Sequence, residues 1–182
     1  MSIKTDYILK ALNVLSWIVF IGLCLDAGIF IVSTILTLVL EPAEAAKMWK
    51  EVDLTAVYNH SESYFVTLTS LIIIATILKA LMFYMIIKFF YHKNFNLAKP
   101  FNETTKRFVL NMGYLSLGIA FFSSWGTGFV EGLTQKGVSI PDLRLMRLDG
   151  ADVWWFMGIV LFVIAFIFKK GIELQNENDL TV

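Results

Sequence analysis

The chain has 182 residues, of which 57% are hydrophobic and only 16% are charged, and its basic and acidic side chains are equal in number. A net charge of zero gives no whole-chain basis for direct nucleic-acid binding. The single cysteine, Cys24, excludes an internal disulfide or a cysteine-based zinc cluster. This composition is typical of an integral membrane protein.

Four apolar runs have lengths close to or above what a bilayer requires. A spanning helix needs about 20 mostly apolar residues. The first two runs exceed this length, the third meets it and the fourth falls slightly short. We therefore predict an all-α integral membrane protein, a four-transmembrane-helix bundle that forms one domain over residues 1–182. The predicted spans are residues 12–40, 64–91, 108–130 and 151–168, followed by a tail at residues 169–182.

Lysine and arginine are distributed unevenly between the two sides of these spans. The first and third connections carry five: Lys47, Lys50, Lys136, Arg144 and Arg147. The amino terminus, the second connection and the tail carry nine: Lys4, Lys10, Lys88, Lys93, Lys99, Lys106, Arg107, Lys169 and Lys170. The positive-inside rule therefore predicts that both termini and the second connection are cytoplasmic.

The two connections on the opposite side are short but patterned. Residues 42–54 place Met48, Trp49 and Val52 at helical spacing, which predicts a short interfacial helix in the first outer loop. In the third connection, residues 131–152, alternation favours a strand while Pro141 can open a helix, so both structures stay open. Together the two outer loops can form a small cap over the helices.

Each of the first two runs contains one charged residue, Asp26 in the first and Lys79 in the second. Measured from the inner ends of the runs, they lie about 21 Å and 18 Å along antiparallel helices. An isolated charge at the bilayer centre costs about 2.5–3.5 kcal/mol. We predict that Asp26 and Lys79 form an intramembrane ion pair. Such a pair either sets the register of the two helices or serves as a proton or ion relay.

The third run contains a stripe of small residues at four-residue spacing: Ser116, Ala120, Ser124 and Gly128. Small residues at this spacing let membrane helices approach closely. We expect this helix-packing stripe to lie inside the bundle. A homodimer seam is the alternative, so a homo-oligomer stays open but is not favoured.

Two segments on the cytoplasmic side carry the most specific motifs. The second connection reads KPFNET over residues 99–104, where Asn102 can act as the N-cap of a helix that begins directly after it. The tail reads GIELQNENDLTV over residues 171–182. These segments resemble the bacterial four-span membrane family called domain of unknown function 2975, with its PF-x-E-N-like stretch and its G-x-x-L-Q-x-E-N-D-L-T-V ending. The tail matches closely and the first stretch in part.

The resemblance implies a multi-pass protein of the bacterial cell (inner) membrane and carries no established activity. Such proteins are often encoded beside a small helix-turn-helix regulator. We therefore expect a non-enzymatic membrane regulator or sensor, which contacts the lipid bilayer and docks a cytoplasmic helix-turn-helix transcription regulator through its tail. The predicted docking residues are Glu173, Leu174, Gln175, Glu177, Asn178, Asp179 and Leu180. The alternative for the tail is that it only caps the last helix and returns against the bundle.

The alternative is a small transporter or transporter subunit that uses the Asp26/Lys79 pair. Catalytic chemistry has no support in the sequence. The two histidines, His60 and His92, lie in connections on opposite sides of the membrane, so a histidine-based metal or haem site inside the bundle is not expected. We predict no catalytic residue, no metal site and no cofactor.

Overall fold

The computed structural model describes residues 3–39, 47–49, 52–91 and 101–180 of the chain. Helices dominate these ranges, and one pair of short antiparallel strands is present. In chain order the elements are α1 (Ile3–Val39), β1 (Lys47–Trp49), β2 (Val52–Asp53), α2 (Thr55–His60), α3 (Glu62–Tyr91), α4 (Glu103–Gln135) and α5 (Ala151–Leu180).

Four of the helices, α1, α3, α4 and α5, are long and apolar enough to cross a membrane, as the sequence predicts. They extend beyond the apolar runs because a helix continues until a capping residue or a turn ends it. Helix α4 begins after its predicted N-cap, where the Asn102 side chain accepts a hydrogen bond from the Thr105 amide at 2.8 Å. Helix α5 continues through the polar tail as far as Leu180.

The four long helices pack in chain order. Helix α1 packs against α3, α3 against α4, and α4 against α5. Within the described ranges, no comparable contact joins α1 to α5. An apolar cavity of about 360 Å³ is lined by residues of all four long helices, with Leu12 from α1, Phe89 from α3, Met112 from α4 and Leu161 from α5 among them. The helices therefore form a row with α1 and α5 at its two ends.

The largest buried cluster lies where the first and third connections meet. Leu54 and Val57 from the first connection and Met146 and Leu148 from the third are fully buried together. They pack against α3 and the end of α4. We call this structure, formed by residues 47–49, 52–61 and 136–150, the cap. The opposite end of the helices, where α5 finishes, is the tail end.

Two expectations about the connections are changed by the structure. In the described part of residues 42–54, the predicted interfacial helix is wrong, because β1 and β2 form an antiparallel pair there. Val52 is buried while Asp53 is exposed, the alternation that a strand presents to a core on one face. The short helix α2 begins only at Thr55. In the third connection, residues 136–150 form turns and contain neither helix nor strand.

Candidate functional site

The two intramembrane charges lie at similar depths. The rings of Phe20 and Tyr84 are 6.0 Å apart, which places these residues of α1 and α3 side by side. Asp26 follows Phe20 by six residues, which places it about 9 Å closer to the cap along α1. Because α3 runs in the opposite direction, Lys79, five residues before Tyr84, lies about 7.5 Å closer to the cap along α3. The similar depths expected from the sequence are therefore present.

The predicted ion pair between Asp26 and Lys79 is nevertheless wrong. The Asp26 carboxylate instead accepts hydrogen bonds from Arg147, with Nε at 3.0 Å and Nη2 at 2.7 Å from Oδ2. The Lys79 ammonium donates to the backbone carbonyl of Arg147 at 2.6 Å. Arg147 belongs to the cap, and it supplies both a cation for α1 and an acceptor for α3. A guanidinium can donate through two nitrogens at once, which an ammonium cannot match.

The backbone of Arg147 makes this double contact possible. Its φ of 59° lies in the left-handed region, and it ends a turn in which the Arg147 amide donates to the Arg144 carbonyl at 3.1 Å. The next amide, that of Leu148, donates to the Leu143 carbonyl at 3.0 Å. A residue with a Cβ in this region costs about 1–2 kcal/mol. Such strain persists only where surrounding contacts hold it, and it occurs often at binding and switch sites.

The Lys79 side chain is enclosed by cap and helix residues. Lys79 is only 8% exposed, and its Nζ lies 5.7 Å from the centre of the Trp154 ring. Asp149 and Arg147 are both close enough to act on it electrostatically. A carbonyl, an aromatic face and a nearby carboxylate together replace the water that a buried ammonium loses.

A cavity of about 300 Å³ opens beside the Asp26–Arg147 pair. Its charged lining comes from Asp26, Arg144 and Arg147. Its apolar lining comes from Ile29, Phe30, Val52 and Leu145. This cavity and the three contacts of Arg147 form the candidate functional site.

Arg147 was not among the residues singled out from the sequence. One signal was available, because Arg144 and Arg147 alternate with leucine and methionine over residues 143–148, in a connection that the positive-inside rule expects to be poor in basic residues. That signal marks the arginines as unusual. It does not reveal that Arg147 forms hydrogen bonds with Asp26 of α1 and Lys79 of α3.

The small-residue stripe of α4 is only half inside the packed core. Ser116 and Ala120 are fully buried, and Ser116 Oγ donates to the Trp154 carbonyl at 2.8 Å. Ser124 and Gly128 are exposed, but Ser124 Oγ accepts a hydrogen bond from Trp155 Nε1 of α5 at 3.1 Å, so the packing expectation is wrong only at Gly128. A four-residue spacing drifts about 40° per repeat on a helix with 3.6 residues per turn. The buried face therefore continues through Ser123, Gly126, Val130 and Leu133.

Glycines bring the helices and the cap into closest contact. A Cβ on Gly158 of α5 would lie 2.5 Å from a methyl carbon of Leu117, and one on Gly126 would lie 2.8 Å from Leu148. At Gly128 a Cβ would meet nothing within 4 Å. The seam between α4 and α5 therefore depends on Gly158, while Gly128 does not contribute to it.

At the tail end, the two motif segments meet. The Phe101 ring lies over Gly171, where an added Cβ would be 2.5 Å from Phe101 Cδ1. The same ring lies 5.4 Å from that of Phe168. Phe101 directly precedes the N-cap Asn102, so this contact fixes the start of α4 against α5.

The predicted docking residues lie on the continuation of α5. Leu174 is 61% exposed, Glu177 is also exposed, and Glu173 and Gln175 are half-buried. Glu173 accepts a hydrogen bond from Lys170 Nζ at 2.7 Å. The helix reaches Leu180, but the side chains of Asn178, Asp179 and Leu180 lie outside the described part.

No group of three or more His, Cys, Asp or Glu residues that could hold a metal ion occurs in the described ranges. Within them, His60 stacks on Tyr64 with ring centres 5.6 Å apart. His92 lies outside the described residues.

Four helices with the length and composition of membrane spans define a multi-pass membrane protein. A family model described as protein of unknown function, domain of unknown function 2975, matches residues 49–182, and the chain belongs to this family. The matched range contains all of the cap except residues 47 and 48, and it includes Phe101, Asn102 and the tail. The predicted membership is therefore confirmed, while α1 precedes the match. No curated protein and no solved structure matches the chain.

Proposed function

We propose that the protein is a non-enzymatic membrane regulator or sensor, in which the cap receives a signal and the end of α5 docks a cytoplasmic helix-turn-helix transcription regulator. The continuity of α5 carries the proposal. The helix begins four positions after Arg147 and runs unbroken for 30 residues, about 45 Å, to the tail. A change in the contacts of Arg147 thus has a rigid element through which it can reach the tail.

The proposal includes an orientation and a location. The chain lies in the bacterial cell (inner) membrane with both termini cytoplasmic and the cap outside. The excess of lysine and arginine in the amino terminus, the second connection and the tail supports this orientation. The cap then faces external compounds and lipids, while the end of α5 faces cytoplasmic proteins.

The chemistry of the α5 extension supports a docking role. Leu174 is an exposed apolar side chain on a segment that otherwise presents polar groups such as Glu177. An apolar anchor within a polar helix face is typical of helix-in-groove recognition. The contact of Phe101 with Gly171 supports the base of this segment. Docking would then use the exposed side of the extension without disturbing its base.

The proposal is tested by purifying the full chain from native membranes in mild detergent and identifying the proteins that accompany it. The comparison is a chain that ends at Ile172, which keeps Gly171 beneath Phe101 and removes the predicted docking residues. We expect a helix-turn-helix protein with the full chain and not with the shortened one. Its retention on the shortened chain would contradict docking through the tail.

A matched pair of substitutions sharpens the test. Leu174→Ser removes the exposed apolar anchor, whereas Asn176→Ser changes a neighbouring exposed polar residue of the same helix. We expect only Leu174→Ser to release the partner. Equal binding by the two variants would remove Leu174 from the docking surface.

The transporter alternative makes a different prediction. It requires uptake or efflux that depends on Asp26 and continues after removal of residues 173–182. The regulator proposal expects the reverse, namely loss of regulation on removal of those residues. In this structure Asp26 and Lys79 each bind Arg147 and do not bind each other. The ion pair that the transporter alternative uses is therefore not formed.

A further inference from the structure

The cavity beside Asp26 has a buried apolar floor and a charged, exposed rim. Phe30 and Val52 are 5% and 3% exposed and form the floor. Arg144 and Leu145 are exposed and lie at the rim. The cavity volume is about 300 Å³, at the lower end of the range for small-molecule sites. Its position between α1 and the cap is at the boundary between the helices and the loops.

Two of the three charged residues that line the cavity, Arg144 and Arg147, are basic, and the third, Asp26, is acidic. Asp26 and Arg147 form an ion pair at 2.7 Å. Behind them, Lys79 lies within electrostatic reach of Asp149. The backbone amide of Arg144 donates a hydrogen bond to the Asp142 carboxylate at 2.8 Å, and Arg144 also lines the cavity. An occupant with one negative charge would therefore balance the charges of the lining residues.

The apolar lining continues onto the surface of α1. Ile29 lines the cavity, and one and two turns before it along the helix are Leu25 and Ile21, which are 62% and 51% exposed. Residues four apart lie on the same helix face, so the three side chains form a continuous stripe that leaves the cavity toward the tail end. This stripe belongs to a helix with the composition of a membrane span. An alkyl chain can lie along it within the lipid.

We propose that this cavity binds an amphiphile with a single anionic headgroup. The headgroup lies between the guanidinium groups of Arg144 and Arg147, and the alkyl chain follows the stripe from Ile29 to Ile21. Guanidinium groups bind carboxylates and phosphates through paired hydrogen bonds, which suits either headgroup. The headgroup competes with Asp26 for Arg147, so binding weakens the contact that joins the cap to α1.

The step from binding to regulation rests on the proposed function, but binding itself does not. It is measured with the purified full chain in phosphatidylcholine nanodiscs, without any regulatory readout. Failure of the tail to dock a partner would leave this binding unchanged. Failure of binding would leave the docking test unaffected, so the two failures are distinguishable.

The first probe is dodecanoate, and its chain-matched control is dodecyltrimethylammonium. We expect saturable binding of one dodecanoate per chain and no saturable binding of the cation. Arg144→Gln should weaken dodecanoate binding about tenfold, as expected for loss of one charge-assisted hydrogen bond. The matched control is Arg107→Gln, an exposed arginine at the tail end, which should leave binding unchanged. Asp26→Asn should strengthen binding because it removes the internal competitor for Arg147.

Nanodiscs that contain phosphatidylglycerol distinguish the two sources of such a ligand. If this lipid abolishes dodecanoate binding to the unsubstituted chain, the site takes an anionic phospholipid from the membrane. If dodecanoate binds equally in both kinds of nanodisc, the site takes a free anionic amphiphile. The proposal is overturned if dodecanoate does not bind saturably, if the cation binds equally well, or if Arg144→Gln and Arg107→Gln have the same effect.

Discussion

Arg147 and Asp26 are 121 positions apart in the chain, and both donor nitrogens of the arginine converge on a single oxygen of the aspartate. The contact joins the cap to α1, the helix that precedes the matched family range. The side chains of Arg147 and Asp26 are 50% and 26% exposed, so a ligand in the adjacent cavity can reach the pair. A partly exposed ion pair is worth less than a buried one, which makes it suitable for reversible opening.

A double-mutant cycle can measure the contact between Asp26 and Arg147 directly. Asp26→Asn, Arg147→Gln and their combination should show a coupling free energy of about 1 kcal/mol, the upper part of the range for partly exposed pairs. The measurement is thermal unfolding of each variant in detergent. The same cycle with Asp26→Asn and Lys79→Met should give a smaller coupling, because these two side chains do not bind each other. A larger value for Asp26 with Lys79 would contradict the arrangement described above.

The left-handed backbone of Arg147 predicts an unusual order of stability between two substitutions. Arg147→Ala and Arg147→Gly both remove the guanidinium, but only alanine keeps a Cβ at a φ of 59°. The glycine variant should be more stable by about 0.5–1 kcal/mol, after allowance for the greater freedom of glycine in the unfolded chain. Unfolding midpoints of the two proteins under identical conditions provide the test. An alanine variant as stable as the glycine variant would show that the turn is not strained.

Close packing between α4 and α5 predicts opposite effects for two glycine substitutions. Gly158→Ala places a Cβ 2.5 Å from Leu117 and should lower the free energy of unfolding by about 1–3 kcal/mol, the usual cost of overpacking. Gly128→Ala meets nothing within 4 Å and should be neutral or stabilise the helix by up to about 1 kcal/mol. Both are measured as shifts in thermal unfolding. Equal destabilisation would mean that the packing at Gly158 is not the cause.

The proposed orientation predicts which residues an impermeant reagent can reach. In a Cys24→Ser background, Ser139→Cys places a thiol on the exposed surface of the cap, and Asn176→Cys places one on the exposed face of the α5 extension. A membrane-impermeant maleimide should label position 139 in intact cells, and position 176 only after the cells are broken. The reverse pattern would place the cap in the cytoplasm and would refute the docking of a cytoplasmic regulator at the tail.

Features that depend on neighbouring residues were predictable from the sequence. The apolar runs predict four long helices, because a chain segment in lipid must satisfy its backbone hydrogen bonds within itself. Asn102 predicts the start of α4 because a capping side chain binds an amide only a few residues away. The similar depths of Asp26 and Lys79 follow from the rise of each helix alone. The family was recognisable from two short segments, and the matched range confirms it.

Features that depend on distant residues were decided only by the tertiary structure. The Asp26–Lys79 pairing failed because it left out a third candidate, Arg147, which a turn of the cap brings between the two helices. The stripe prediction failed at Gly128 because the direction of the packed face depends on how α5 crosses α4. A sequence specifies which charges need partners, since an unpaired charge in lipid is costly wherever it lies. The path of the intervening chain determines which residue lies close enough to pair with each charge. That path is set by packing between residues far apart in the sequence.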